Sequence, residues 1–296
     1  MRVLWITLMI VLLLTFAAAA PAPAKATARW SLRYQPARIV NGSPVLFQVT
    51  IPKQVRSLSG KWREHEIVFS FDASRKIWYG LAGASLETKP GIYPLELSAQ
   101  TASGKSLTYR RGIRVQRQRY PKITLTVAGR YTAPDPEQLK VIERDKQVKA
   151  DAFKALTADR EWRGPFQAPV RARISDVFGV QRVFNGIVQS THQGLDFRVP
   201  SGTPVSAVNG GTILLARLLY FEGNCVVIDH GQGLLTLYLH LSELRVKEGD
   251  RVNKGQEIGL SGGTGRATGP HLHLAARWQG IYLNPATLLS LKVPQH

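Results

Sequence analysis

The sequence has a single cysteine, Cys225, among its 296 residues. An intramolecular disulfide is therefore excluded, and the fold must be held together by its apolar cores or by a metal ion. Cys225 lies in a valine-rich stretch, where a cysteine is usually a small buried apolar side chain. Because no cysteine directly follows the N-terminal apolar segment, a lipoprotein is not expected.

The N-terminal apolar run, residues 3–16, is shorter than the roughly 20 residues that a membrane-spanning helix needs. Arg2 precedes the run, and small residues with A-x-A cleavage patterns ending at Ala20 or Ala26 follow it. We therefore predict a signal peptide over residues 1–26 and export to the periplasm or cell envelope, with no stable membrane span after its removal. A retained membrane anchor is the alternative.

Acidic residues are scarce, since 20 Asp and Glu oppose 39 Lys and Arg and leave a formal net charge of +19 at pH 7. Residues 27–164 hold 25 basic and 12 acidic side chains, an excess of +13, whereas residues 165–296 hold 12 and 8, an excess of +4. Such a basic region suits nucleic acid, anionic lipid or an anionic wall polymer. Export argues against nucleic acid, so a wall polymer or a merely solubilising surface remains.

Three segments differ in their pattern. Short β-rich runs separated by turn signals predict a mainly β fold that begins with an immunoglobulin-like β-sandwich over residues 27–130. Residues 137–159 contain neither glycine nor proline and carry apolar residues at near-helical intervals, which predicts a helix within a linker over 131–164. Val-, Ile- and Leu-rich strands with glycine turns then predict an all-β domain over 165–296.

The last segment concentrates histidine. Four of the seven histidines lie with an aspartate in three motifs: His192-Gln193-Gly194-Leu195-Asp196, Tyr238-Leu239-His240 and His271-Leu272-His273. On a strand, residues two apart share a face, so His271 and His273 should project together while their leucine neighbours fill the core. The same alternation predicts leucines 237, 239 and 241 in the core, opposite His240. Imidazole and carboxylate are zinc ligands, and the groups beyond three suit a hydrolase that needs a base beside the metal-bound water.

These motifs resemble those of the lysostaphin-type zinc endopeptidases, which cut peptide bridges of bacterial peptidoglycan. The resemblance spans about residues 175–285 and includes Gly194-Leu195-Asp196 and Gly269-Pro270-His271-Leu272-His273. It implies one Zn²⁺ per chain, bound by His192, Asp196 and His273, and a catalytic pair, His240 and His271, of which either could be the base. Asn224 and Tyr238 are candidate substrate-binding residues; turn capping and core packing, respectively, are the alternatives.

The predicted function is therefore hydrolysis of peptidoglycan cross-links by a secreted zinc endopeptidase. D-Alanyl to diaminopimelate bridges are expected and glycine bridges are the alternative. A non-catalytic activator of another wall hydrolase, or a zinc peptidase acting on proteins, would be the alternative function. The basic region could tether the enzyme to the wall or shield its cleft.

Overall fold

The structure is a computed structural model that describes residues 30–154, 157–186 and 188–295. The predicted signal peptide lies outside these residues. Within the described ranges, neither helix is long and apolar enough to cross a membrane.

The N-terminal region consists of seven antiparallel strands in one continuous path, β1-β2-β5-β4-β3-β6-β7. Strand β4 belongs to both halves of the path, because residues 65–68 pair with β3 and residues 69–72 pair with β5. Phe47 of β2 meets Trp62 of β3 edge to face at 5.6 Å between ring centroids, so the two halves share a core. The mainly β prediction is confirmed, while the immunoglobulin-like assignment stays a prediction. The strands are β1 (Ser31–Gln35), β2 (Pro44–Thr50), β3 (Val55–Trp62), β4 (His65–Asp72), β5 (Ile77–Gly83), β6 (Gly91–Thr101) and β7 (Ser106–Val115).

A connecting segment follows, with β8 (Lys122–Leu125), a 3-10 turn (Gly129–Tyr131) and helix α1 (Pro136–Ala152). The helix begins at a capping box in which the Asp135 carboxylate accepts from the Gln138 amide N–H and the Gln138 side chain accepts in return. It ends before the predicted limit at Asp159. The chain that follows the helix contacts the C-terminal region, where the Thr157 N–H donates to the Asp229 carboxylate at 2.6 Å.

The C-terminal region contains an eight-stranded sheet in the order β18-β14-β15-β16-β20-β12-β9, with β21 paired to β20. A small sheet, β13-β19-β17, lies beside it, and β8 runs parallel to β10 in a third sheet, β11-β10-β8. The elements are β9 (Ile174–Asp176), β10 (Gln181–Phe184), β11 (Val188–Thr191), β12 (Gly194–Phe197), β13 (Pro204–Ser206), β14 (Gly211–Leu219), β15 (Gly223–Asp229), β16 (Leu234–Leu241), β17 (Glu243–Leu244), β18 (Arg251–Val252), β19 (Glu257–Leu260), β20 (Leu272–Trp278), β21 (Ile281–Leu283) and α2 (Pro285–Ser290).

The N-terminal and C-terminal regions are packed together, and one cluster of buried apolar residues runs through both. His65 stacks on Trp278 with ring centroids 5.1 Å apart. Leu283 fills the space beside Gly83, where an added Cβ would come within 2.6 Å of its side chain. The domain limits at 130 and 165 remain predictions, since β8 already pairs with the C-terminal region.

Candidate metal centre and active site

Two neighbouring strands bring three metal-binding side chains together. Strand β12 pairs antiparallel with β20 so that Asp196 lies opposite His273, and His192 lies just before β12. All three side chains are buried, and their ligand atoms lie within 4.8 Å of one another. Gly194 is required here, because a Cβ at this position would lie 2.3 Å from His273 Nε2.

The hydrogen bonds of His192 determine which of its nitrogens faces the centre. His192 Nδ1 lies 2.8 Å from the Val177 carbonyl oxygen, which can only accept, so Nδ1 carries the hydrogen and Nε2 of the neutral ring has a lone pair. That lone pair lies 3.0 Å from Asp196 Oδ1 and 3.0 Å from His273 Nδ1. Two acceptors at this distance repel unless a cation lies between them. The two imidazoles and one carboxylate therefore fit zinc, since catalytic zinc sites take three protein ligands of these types.

The outer oxygen of Asp196 is held by Arg182, whose guanidinium donates to Asp196 Oδ2 at 2.6 Å and, through Nε, to Asp176 at 3.0 Å. Burial raises the pKa of Asp196, but the adjacent imidazoles of His192 and His273 outweigh this effect and hold the pKa well below its usual range. The carboxylate thus stays ionised and points Oδ1 at the other two ligands.

His240 and His271 form a second pair beside this centre, with ring centroids 4.8 Å apart. Each ring donates its Nδ1 hydrogen to a backbone carbonyl at 2.8 Å, of Thr264 for His240 and of Gly269 for His271. Both Nε2 atoms are then free to accept a proton. Burial, followed by the nearby His271 and His273, lowers the pKa of His240 to about 3, which keeps its ring neutral.

A β-bulge points His240 into the site. His240 has a φ of 65°, and both Leu239 and His240 lie opposite Cys225 in the pairing of β16 with β15. As a result Leu237 and Leu239 line the same cavity as His240, while Tyr238 packs in the main core. The predicted alternation was therefore wrong for β16. It is confirmed for β20, where leucines 272 and 274 are in the core.

Two further candidates point away from the cavity. Tyr238 is fully buried, and its hydroxyl accepts from the Val208 N–H at 2.8 Å, which gives it the packing role. Asn224 donates its side-chain amide to the Ser242 carbonyl at 3.3 Å, which ties a loop. His230 lies in the turn after β15, and its ring is buried between Gly210 and Thr236.

The cavity at the centre has a volume of about 170 Å³. Helix α1 forms one wall through Lys149, which pairs with Glu222. Beyond this pair, Val148, Ala152 and Phe153 cover the apolar continuation of the sheet face. Three residues that line the cavity were not predicted from the sequence, although each follows a recognisable motif or turn: Arg182, Glu222 and Arg266.

The geometry brings together a candidate metal centre, and comparison with known proteins gives the family of the domain that contains it. Residues 190–285 match the model of peptidase family M23, so the chain contains a domain of peptidase family M23. The resemblance seen in the sequence is thereby confirmed.

Particular relatives carry names that refer to the cell wall. Peptidoglycan DD-endopeptidase ShyA of Vibrio cholerae is 30% identical over 259 residues, which cover 81% of this chain and 56% of that protein. Peptidoglycan DD-endopeptidase ShyC of the same organism is 43% identical over 117 residues, covering 39% of this chain and 27% of that protein. The chain thus spans about half of ShyA and about a quarter of ShyC. A crystal structure from Pseudomonas aeruginosa, assigned to peptidase M23, is 27% identical with a TM-score of 0.64 and covers 85% of this chain and 95% of that one.

Proposed function

We propose that this protein is an exported zinc endopeptidase that hydrolyses the peptide cross-links of bacterial peptidoglycan. The observation that carries the proposal is the convergence of His192, Asp196 and His273, with the acceptor nitrogens of two more histidines beside them. The names of the relatives ShyA and ShyC support the same substrate class. Export is supported by the signal-like residues 1–26, and a basic excess of +13 over residues 27–164 suits an anionic wall.

In this proposal the three ligands hold the ion, which supplies polarisation of the scissile carbonyl and acidification of a water molecule. Arg182 keeps the Asp196 carboxylate oriented, so that Oδ1 faces the two imidazoles. His240 Nε2 and His271 Nε2 are placed to accept a proton from the attacking water. The protonated ring can then donate to the oxyanion or to the leaving amine.

An activator without catalysis would have no need for the catalytic pair. All five histidine and aspartate positions are present, and the hydrogen bonds of His240 and His271 leave both Nε2 atoms available. A zinc peptidase that acts on proteins would share this site and differ only in substrate. The enzyme acting on peptidoglycan is therefore the function that the combination of site and relatives favours.

The experiment is digestion of purified sacculi by the full chain and its variants. His240→Ala and His271→Ala should each keep about one zinc per chain and lower hydrolysis by roughly 10²- to 10⁴-fold, because they remove proton transfer and not a ligand. His273→Ala should lose zinc and activity together. Lys146→Ala, a change at an exposed residue outside the site, is the control and should retain both.

Mass analysis of the released muropeptides identifies the bond, with D-alanyl to diaminopimelate cleavage expected over glycine-bridge cleavage. Digestion by both His240→Ala and His271→Ala at the wild-type rate would show that the protein is not the hydrolase. If the protein cleaves casein and leaves sacculi undigested, its substrate is a protein instead.

A further inference from the structure

A glycine-rich loop, residues 261–269, leads from β19 to His271 and is fixed against the catalytic pair. The Thr264 carbonyl accepts from His240 Nδ1 at 2.8 Å, and the Thr264 hydroxyl donates to the Leu241 carbonyl at 2.7 Å. The Arg266 N–H donates to the Phe221 carbonyl at 2.8 Å. The backbone at Arg266 therefore has a defined position relative to His240.

The side chain of Arg266 is held between two aromatic rings. Its guanidinium carbon lies 4.7 Å from the ring centroid of Phe184 and 4.7 Å from that of Phe221. Cation–π contacts with the two rings restrict the rotation of the side chain and engage the guanidinium through its π-system, not through its N–H donors.

Across the part of the chain that the structure describes, no acceptor forms a side-chain hydrogen bond or an ion pair with Arg266. The other two cations of the cavity are already engaged, Arg182 by Asp176 and Asp196 and Lys149 by Glu222. Arg266 lines the same cavity as His240 and His273, and among the described residues its donors have no hydrogen-bonding partner.

We propose that Arg266 is a specificity-determining residue whose guanidinium binds a free carboxylate of the substrate beside the scissile bond. A planar fork of N–H donors matches the two oxygens of a carboxylate, and the flanking rings reduce competition from water. This inference rests on the proposed function and deepens it. A diaminopimelate cross-link has a carboxylate on the carbon that bears the cross-linked nitrogen, whereas an internal glycine bridge has none. Arg266 therefore favours the diaminopimelate-type bond.

The alternative role for Arg266 is structural, as a clamp between Phe184 and Phe221. The two roles differ in how they depend on the substrate. A clamp affects every substrate equally, whereas a carboxylate anchor affects only substrates that carry the carboxylate.

The test measures kcat/KM of the full-length protein on two soluble muropeptide dimers. One has a D-alanyl to diaminopimelate bond with its free carboxylate, and the other is identical except that this carboxylate is amidated. The wild type should prefer the free carboxylate by about 10- to 100-fold, as expected when a site is built to bind one polar group of its substrate. Arg266→Gln should lose that preference and cleave the amidated dimer within about threefold of the wild type. Arg266→Lys, which keeps the charge without the fork, should retain part of the preference.

Arg217→Gln is the matched control, because this exposed arginine pairs with Glu248 outside the cavity, and it should keep the full preference. Equal losses on both dimers in Arg266→Gln would establish the clamp and overturn the anchor. An unchanged preference in that variant, or equal cleavage of both dimers by the wild type, would also overturn it. A wild type that cleaves neither dimer would contradict the proposed function itself.

Discussion

The N-terminal sheet and the M23 domain differ in what they bury. Within the described residues, the seven-stranded region buries only three polar side chains, Ser43, Asp72 and Thr88. The C-terminal region buries a larger set that includes the three candidate metal ligands: His192, Asp196, Asn209, Asp229, His230, Thr236, His240, Ser261 and His273. Buried polar groups cost free energy unless they are paired. We therefore expect the stability of the M23 domain to respond to metal binding and to pH more strongly than that of the N-terminal region.

The largest expected effect is that of metal removal. Zinc at about 1,000 times its Kd would stabilise the folded chain by about 4 kcal/mol, which corresponds to roughly 10 °C in Tm for a domain of this size. Chelation should lower the Tm by that amount, and zinc should restore it. His273→Ala, which lacks a ligand, should melt at one temperature with or without zinc. A wild type whose Tm ignores zinc would show that the three side chains do not hold the ion.

The next effect is a pH dependence carried by His230. Burial lowers the pKa of His230 to about 4, although its bond to the Gly210 carbonyl opposes the shift. The unfolded chain takes up this proton near pH 6.5, so the stability contributed by the neutral ring is complete above pH 6.5 and is lost as the pH falls towards 4. The difference in pKa amounts to about 3 kcal/mol. In urea unfolding, the free energies of unfolding of the wild type and His230→Gln should converge by this amount between pH 7 and 4. A difference in unfolding free energy that stays constant over this range would contradict the assignment.

A smaller effect concerns helix α1, which covers part of the cavity wall. If the helix shields the site, Lys149→Ala should weaken its hold on Glu222 and raise the rate of sacculus digestion by about two- to fivefold, since a single partly buried pair contributes about 1 kcal/mol. Lys146→Ala removes the same charge from the exposed side of the helix, where it pairs with Glu143, and should leave the rate unchanged. Equal rates for all three proteins would exclude shielding through this contact.

The smallest effect tests tethering. Reversing two exposed charges of the N-terminal region in Arg117→Glu/Arg119→Glu should weaken sacculus binding about two- to threefold at 0.05 M salt and not at 0.5 M, where exposed charges are screened. Arg171→Glu/Arg173→Glu makes the same charge change on exposed residues of the C-terminal region and should have less effect. If the two double variants bind alike in a cosedimentation series, the charge serves solubility.

How far the sequence predicts the site depends on whether a contact is local. The faces of His271 and His273 follow from strand alternation alone, and β20 obeys it. His240 does not, because its bulge is set by pairing with β15 and by its N–H bond to the Glu222 carbonyl at 2.9 Å. The position of Thr157 after α1 likewise depends on a distant partner, Asp229.

Arg266 illustrates the same limit within the candidate site. Its loop could be recognised in the sequence because of its glycines and its position before the histidine motif. Its aromatic neighbours, Phe184 and Phe221, are remote in the chain, and no local pattern brings them to it. Side chains that are held by remote contacts are therefore found only in the folded structure.

Strand β20 carries a candidate metal ligand near one end, His273, and Trp278 at the other, where the indole contacts His65 of the N-terminal region. The two regions are thus not exchangeable modules. A chimera that joins this M23 domain to a foreign N-terminal region would lose the partner of Trp278 and expose part of a common core. Recombination between members of the family should therefore succeed only where the incoming N-terminal region supplies an equivalent surface for this strand. The residues on the two sides of this contact should accordingly vary together among relatives.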